Sequence, residues 1–262
     1  MEKDYLISNS KDAAKGYEYY NNRNSINITQ KYYDEHTDKQ MPAEIIKDFL
    51  YWVASDEVPK SDDEAYYFCT DNSTELKYDP FHKDFGPLNL AMTHRFCCEL
   101  TKVLFEKKDT DWKIYHYTST NGEKMANSAC LIGVFMVVIL QRTPEEAWEV
   151  LKDYHHSITP FRDATAGICT YNLTILEVLK GLEKAMELGW YNFKTFDVQE
   201  YEYYEKLDNG DLNWVIPGKI CAFMGPWETN YDTNGLRCHT PEDYSKLFES
   251  LGVERIIRLN EK

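Results

Sequence analysis

The sequence has 262 residues, 43% hydrophobic and 28% charged, with 20 Tyr and 12 Phe, enough for one large or two modest cores and too apolar for an intrinsically disordered chain. A formal net charge of −15 makes nucleic acid a poor partner, because a phosphate backbone would be repelled, and favours basic partners or basic peptide segments, with solubility the commoner reason for such a charge. Residues 1–40, polar and rich in Asn, Asp, Lys and Tyr, predict a poorly ordered arm or a short helix and lack the apolar core of a signal peptide. PAEIIKDFLYWVA (42–54) has helical spacing and proline in its first turn, which predicts a helix. EAYYFCT (64–70) predicts a strand, and GPLNLAMTHRFCCELTKVLFEK (86–107) predicts a helix with Leu88, Ala91, Met92, Phe96, Leu100 and Leu104 on or near one face.

The segment KIYHYTSTNGEKMANSACLIGVFMVVIL (113–140) raises the chemical question. Lys113–Thr118 alternates as a strand does, Asn121-Gly122 makes a turn, and Ala129–Leu140 is a buried apolar run, too short to span a bilayer. A strand feeding a polar loop that opens a helix is a common way to hold a phosphate on backbone N–H groups. This loop carries no cysteine, arginine or P-loop lysine at the expected places.

Thr143-Pro144-Glu145-Glu146 is a capping box with proline at the first helical position, opening a helix of about ten residues that ends near Tyr154. Asp153–Pro160 reads as a loop. Cys169–Leu188 reads as a long amphipathic helix stopped by Gly189, and FDVQEYEYYEKL, within Asn192–Leu207, as a helix rich in Tyr and Glu. Asn209-Gly210 marks a turn, and LNWVI and KICAFMG are strands around Pro217-Gly218. Thr240-Pro241-Glu242-Asp243 starts a second capped helix that Gly252 ends, and GVERIIRLNEK (252–262) predicts a final strand. This organisation is a polar arm (1–41), an α/β domain (42–190), a helical linker (191–210) and a strand–strand–helix–strand piece (211–262). The last is too small for an independent core and reads as the beginning of something longer.

The chemistry-bearing residues are sparse. Seven cysteines, an odd number with no C-x-x-C, exclude zinc and thioredoxin-like sites and fit buried free thiols in a reducing cytosol or nucleus. None is followed by arginine in a C-x5-R pattern, and no G-x-S-x-G, P-loop, H-E-x-x-H or EF-hand motif occurs. No residue set suggests a metal or a cofactor. His116 reads as a buried, hydrogen-bonded structural histidine and His155-His156 as surface histidines. Glu202 and Glu205 are three apart and share a helix face among Tyr201, Tyr203 and Tyr204; such a pair suits a Lys or Arg side chain, but from spacing alone it reads as a solvated face.

Taken together, DFGPLNLAMTHRFCCEL (84–100), IYHYT…ANSACLIG…VVIL, RTPEEAWEVL (142–151), PFRDATAGICTYNLTILEVLKGL (160–182), TFDVQEYEYYEKLDNGDLNWVIPGKICAFMGP (195–226) and RIIRLNEK (255–262) strongly resemble the cell division cycle 14 phosphatases, dual-specificity protein phosphatases of mitotic exit. The resemblance runs in order from about residue 42 to the end. It implies a dual-specificity-phosphatase-like α/β domain, a central sheet flanked by helices, then a linker helix and an incomplete second α/β phosphatase domain. In that family the first domain is non-catalytic and helps form the substrate groove. The second domain carries an H-C-x5-R loop and a general-acid Asp, and works through a phosphocysteine without metal or cofactor.

The resemblance makes 113–140 a vestigial phosphatase loop. His116 stands for the signature His, Tyr117 for the nucleophile, and Glu123-Lys124 for the phosphate-gripping Arg. It also implies substrates with phospho-Ser-Pro followed by a basic residue, held in an acidic groove to which Glu202, Glu205 and, more weakly, Asp163 would contribute. Residence in cytoplasm and nucleus, including nucleolus, centrosome or spindle, is implied with it. The catalytic Cys, Arg and Asp would fall beyond Lys262, so the reading is of a recognition half, whether of a longer phosphatase or of a truncated product, with a stand-alone pseudophosphatase module binding basic phosphopeptides or partner proteins as the alternative.

Overall fold

A computed structural model describes residues 41–57, 64–71, 73–232, 235 and 237–259; the predicted N-terminal arm lies outside them. The chain divides into two compact units between Lys194 and Thr195. The first opens with β1 (Ala43–Ile46) and β2 (Leu50–Ala54), followed by β3 (Ala65–Cys69), α1 (Leu90–Lys107), β4 (Lys113–Thr118), α2 (Gly122–Val138), α3 (Pro144–Val150) and α4 (Ile175–Glu187). The sheet order is β1-β2-β4-β3, with β1 antiparallel to β2 and the other pairs parallel.

The helix expected over 42–54 is instead the β1–β2 hairpin. Leu50, Trp52 and Ala54 are all buried, and three residues spaced by two can share a face only in a strand. Asp48, at φ 58°, makes the turn. The strands expected at 64–70 and 113–118 are present as β3 and β4. The first helix begins four residues later than its apolar pattern suggests, because the Asn89 side chain accepts the Met92 N–H and caps it there.

One face of the sheet carries Trp52, Phe68, Ile114 and His116, and packs against α1 and α2. Trp52 Nε1 donates to Ser128 Oγ of α2 at 2.9 Å, and Phe96 of α1 lies 5.1 Å from the His116 ring. On the other face Tyr51, Tyr115 and Tyr67 stack across adjacent strands at 5.0 Å centroid spacing. From Ser128 to Val138 every residue of α2 is buried, the mark of a central helix that is apolar all round. Gly133 lets α4 approach, since a Cβ there would sit 3.2 Å from Leu179 Cδ1.

The capping box at Thr143–Glu146 is made in both directions and starts α3, which passes into a 3-10 turn at Lys152–Tyr154. The helix expected from Cys169 begins at Ile175, because Thr174 and Glu177 form another capping box; Gly189, at φ 69°, follows its end.

The second unit contains α5 (Val198–Glu205), the hairpin β5 (Leu212–Ile216) and β6 (Ile220–Phe223), and α6 (Pro241–Leu251). Its core is small: Leu212, Cys238, Tyr244 and Phe248 are buried, with Phe223 5.0 Å from the Tyr244 ring and 4.8 Å from that of Phe248. Thr240 and Asp243 cap α6 reciprocally, and Gly252 ends it in the left-handed conformation. The final strand expected over 252–262 does not form in the described part. Residues 253–259 make no ladder, and Ile256, Ile257 and Leu259 are exposed, so the β-rich sequence finds no strand to pair with among the described residues.

Candidate functional site

Open sheets with parallel strands place ligands at the carboxyl ends of those strands. In the first unit this edge is where β2, β4 and β3 deliver three loops: Ser55–Glu57, Ser119–Asn121 and Thr70–Asp71. The β4–α2 loop is the segment with the phosphate-loop outline. Asn121 caps α2, its Oδ1 accepting the N–H groups of Glu123 at 3.2 Å and Lys124 at 3.1 Å. Thr159 packs against the start of the helix, so that a Cβ on Gly122 would meet its Oγ1 at 2.3 Å.

Two carboxylates fill the loop. Asp71 accepts from Thr118 Oγ1 at 2.6 Å and from the Ser119 N–H at 2.9 Å. Asp56 accepts from the Thr120 N–H at 2.9 Å and from Thr120 Oγ1 at 2.5 Å. Burial pushes the Asp71 carboxyl up, but the bonds from Thr118 and Ser119 outweigh it and leave the group below its ordinary value. The Thr120 hydroxyl and N–H lower Asp56 in the same way. A cavity of about 410 Å³ adjoins the loop, lined by Asp71, Tyr78, Asp84, Phe85, Lys124 and Asn127 among others.

His116, Tyr117, Glu123 and Lys124 are brought together at this strand–helix junction. His116 is fully buried, stacked on Phe68 at 4.7 Å, with Nε2 3.1 Å from Ser128 Oγ and 3.3 Å from Thr70 Oγ1. Burial lowers its pKa to about 3, so it is a neutral element of the core. Tyr117 lies inside β4, with its side chain on the opposite face, across from Cys69 of β3; burial, then Cys69, raises its pKa. The loop itself therefore opens at Ser119, beyond both residues. Glu123 and Lys124 are exposed in the first turn of α2.

Asp163 belongs to another loop of the first unit and accepts the Thr165 N–H at 3.0 Å. Glu202 and Glu205 are half-buried on α5 of the second unit, and the Tyr203 and Tyr204 rings meet edge-on at 5.2 Å. Sequence reasoning did not single out Asp56 or Asp71. The available signal was an aspartate shortly after each of two strands, facing the hydroxyl run Thr118-Ser119-Thr120. Among the described residues no group of three or more His, Cys, Asp or Glu could hold a metal ion, and no helix is long and apolar enough to cross a membrane.

Residues 44–185 match the family described as dual specificity protein phosphatase, N-terminal half. The chain is 49% identical over 221 residues to dual specificity protein phosphatase CDC14AB of Danio rerio, a match covering 84% of this chain and 36% of the relative. It is 46% identical over 220 residues to CDC14A of Homo sapiens, covering 84% and 37%. With tyrosine-protein phosphatase cdc-14 of Caenorhabditis elegans the identity is 35% over 214 residues, covering 79% and 30%. The chain thus spans about a third of the length of the curated relatives it matches.

Proposed function

Since the chain belongs to the CDC14 family of dual specificity protein phosphatases and corresponds to their N-terminal half, we propose that it serves substrate selection and scaffolding. It would recognise proteins carrying a cyclin-dependent-kinase site, phospho-Ser-Pro followed by a basic residue, by reading that basic residue, and present them to the C-x5-R chemistry that its own 262 residues lack. The observation that carries this reading is the pair Glu202 and Glu205, three residues apart and half-buried on α5, a helix whose sequence interleaves them with Tyr201, Tyr203 and Tyr204. A partly desolvated carboxylate pair on a tyrosine-rich helix suits a guanidinium or ammonium group, by charge-assisted hydrogen bonds and cation–π attraction.

The same feature supports the alternative, a stand-alone module that binds basic phosphopeptides or partner proteins. The two readings share the contact and differ only in the fate of the bound protein. The test is charge reversal. Glu202→Lys with Glu205→Lys is expected to erase the preference of the chain for a Ser-Pro peptide with a following Lys or Arg over the same peptide with Ala. Each contact is worth roughly 1.5–3 kcal/mol when shielded from water and well under 1 kcal/mol when exposed, so the preference in fluorescence-anisotropy titrations should fall by about tenfold or more. An unchanged preference would reduce the two glutamates to surface charges.

A further inference from the structure

The carboxyl edge of the parallel strands is occupied from within. Asp56, which follows β2, and Asp71, which follows β3, both reach into the loop after β4, and each takes one backbone N–H and one threonine hydroxyl there. At the start of α2 the N–H groups of Glu123 and Lys124 are taken by Asn121 Oδ1. Four backbone N–H groups that could meet an oxyanion are therefore already bonded, two of them to full negative charges. Glu123 adds a third carboxylate beside the loop, and Lys124 is the cation that acts on Asp71.

We propose that Asp56 and Asp71 are built-in anions. They hold the β4–α2 loop in its anion-cradle outline without a ligand, and they close this unit to phosphoryl groups. A carboxylate is a planar two-oxygen acceptor that satisfies an N–H and a hydroxyl together, and charge-assisted bonds of this kind are about twice as strong as neutral ones. An entering phosphate would have to displace a tethered anion from each pair of donors and then remain beside both. The two clasps also join residues 64 and 48 apart in sequence, so they fix the ends of three strands relative to one another. This inference stands whether or not Glu202 and Glu205 read a basic residue.

The test is ¹⁵N-resolved NMR on the whole chain, titrated with inorganic phosphate at constant pH and ionic strength. In the wild type the Ser119 and Thr120 amide resonances are expected to stay in place through millimolar phosphate. In Asp56→Ala/Asp71→Ala, or in the shape-preserving Asp56→Asn/Asp71→Asn should the first fail to fold, the same resonances should move saturably, with an apparent affinity roughly tenfold or more above the wild type, equivalent to about 1.4 kcal/mol. A saturable wild-type shift would overturn the proposal outright. So would a folded variant whose loop amides ignore phosphate. Scalar coupling across the hydrogen bonds, from the Ser119 and Thr120 amide nitrogens to the Asp71 and Asp56 carboxylate carbons, checks the clasps in the wild type alone; its absence would likewise refute them.

Discussion

Mixed with an aryl phosphate, the 262-residue chain is expected to release phosphate no faster than buffer does. Phosphate monoesters are among the slowest of all substrates to hydrolyse unaided, and enzymes accelerate them by up to about 10²¹-fold. A cysteine-dependent route needs a low-pKa thiolate with an arginine to grip the phosphoryl oxygens. None of the seven cysteines is followed by arginine at the sixth position. Burial pushes Cys130 up to about 12, and burial, then Glu99, does the same for Cys98. Cys97 is raised well above its ordinary value, and Cys69 is raised by burial. Tyr117 offers a phenol made less acidic by its setting, and a phenol at that pKa is no substitute for a thiolate. Turnover that vanadate and thiol alkylation both abolish would contradict this expectation.

Stability is expected to fall steeply as the solution is acidified from pH 6.5 toward pH 4. Two buried histidines dominate. His116 is lowered by burial to about 3, against the attraction of Asp71. His94 is lowered to about 4 by burial and then by Arg95, with its Nδ1 3.0 Å from the Tyr191 hydroxyl. Both groups have folded values below the unfolded value of about 6.5. Between those limits the unfolded chain binds protons that the folded chain refuses, so acid favours unfolding. Each tenfold change in proton affinity is worth about 1.4 kcal/mol, and the two sites together reach several kcal/mol, much of a typical domain's net stability of roughly 5–15 kcal/mol. Asp56 and Asp71 add to the loss at lower pH. Their folded values are depressed, so their contribution is present above the ordinary carboxylate range and disappears as pH drops through the folded values. Urea unfolding midpoints at pH 7.5, 6, 5 and 4 should decline continuously below pH 6.5, with His116→Gln flattening the slope; a midpoint constant from pH 7.5 to 4.5 would refute the assignment of buried neutral histidines.

Much of the framework is legible locally. The strand Lys113–Thr118 shows in its alternation, the capping boxes at Thr143 and Thr240 in their spacing, and the helix stops in Gly189 and Gly252. Each is a short-range device, complete within a few residues. The errors have a common physical origin in long-range packing. Pro42–Ala54 satisfies a helical pattern until Trp52 pairs with His116 across the sheet and donates to Ser128, 76 residues away. Residues 252–259 carry β-forming side chains, yet a strand exists only where another strand receives it.

The same limit hid the closed loop. The outline of a phosphate loop is visible in the polar turn after Thr118, whereas the aspartates that fill it come from the ends of two other strands. The resemblance supplied the family and the role proposed for Glu202 and Glu205, which spacing alone reads as an ordinary solvated face.

A recognition half of the proposed kind reads charge on the substrate and is blind to the phosphoryl group. The decisive measurement is a paired titration of the chain with one Ser-Pro peptide bearing a following Arg, phosphorylated and unphosphorylated at the serine. The phosphorylated peptide is expected to bind no tighter than its unphosphorylated twin, since the Ser119 and Thr120 N–H groups are held by carboxylates and the chain carries a net charge of −15, and both should lose affinity when Arg is replaced by Ala. Binding that strengthens roughly tenfold on phosphorylation and is reversed by inorganic phosphate would contradict this.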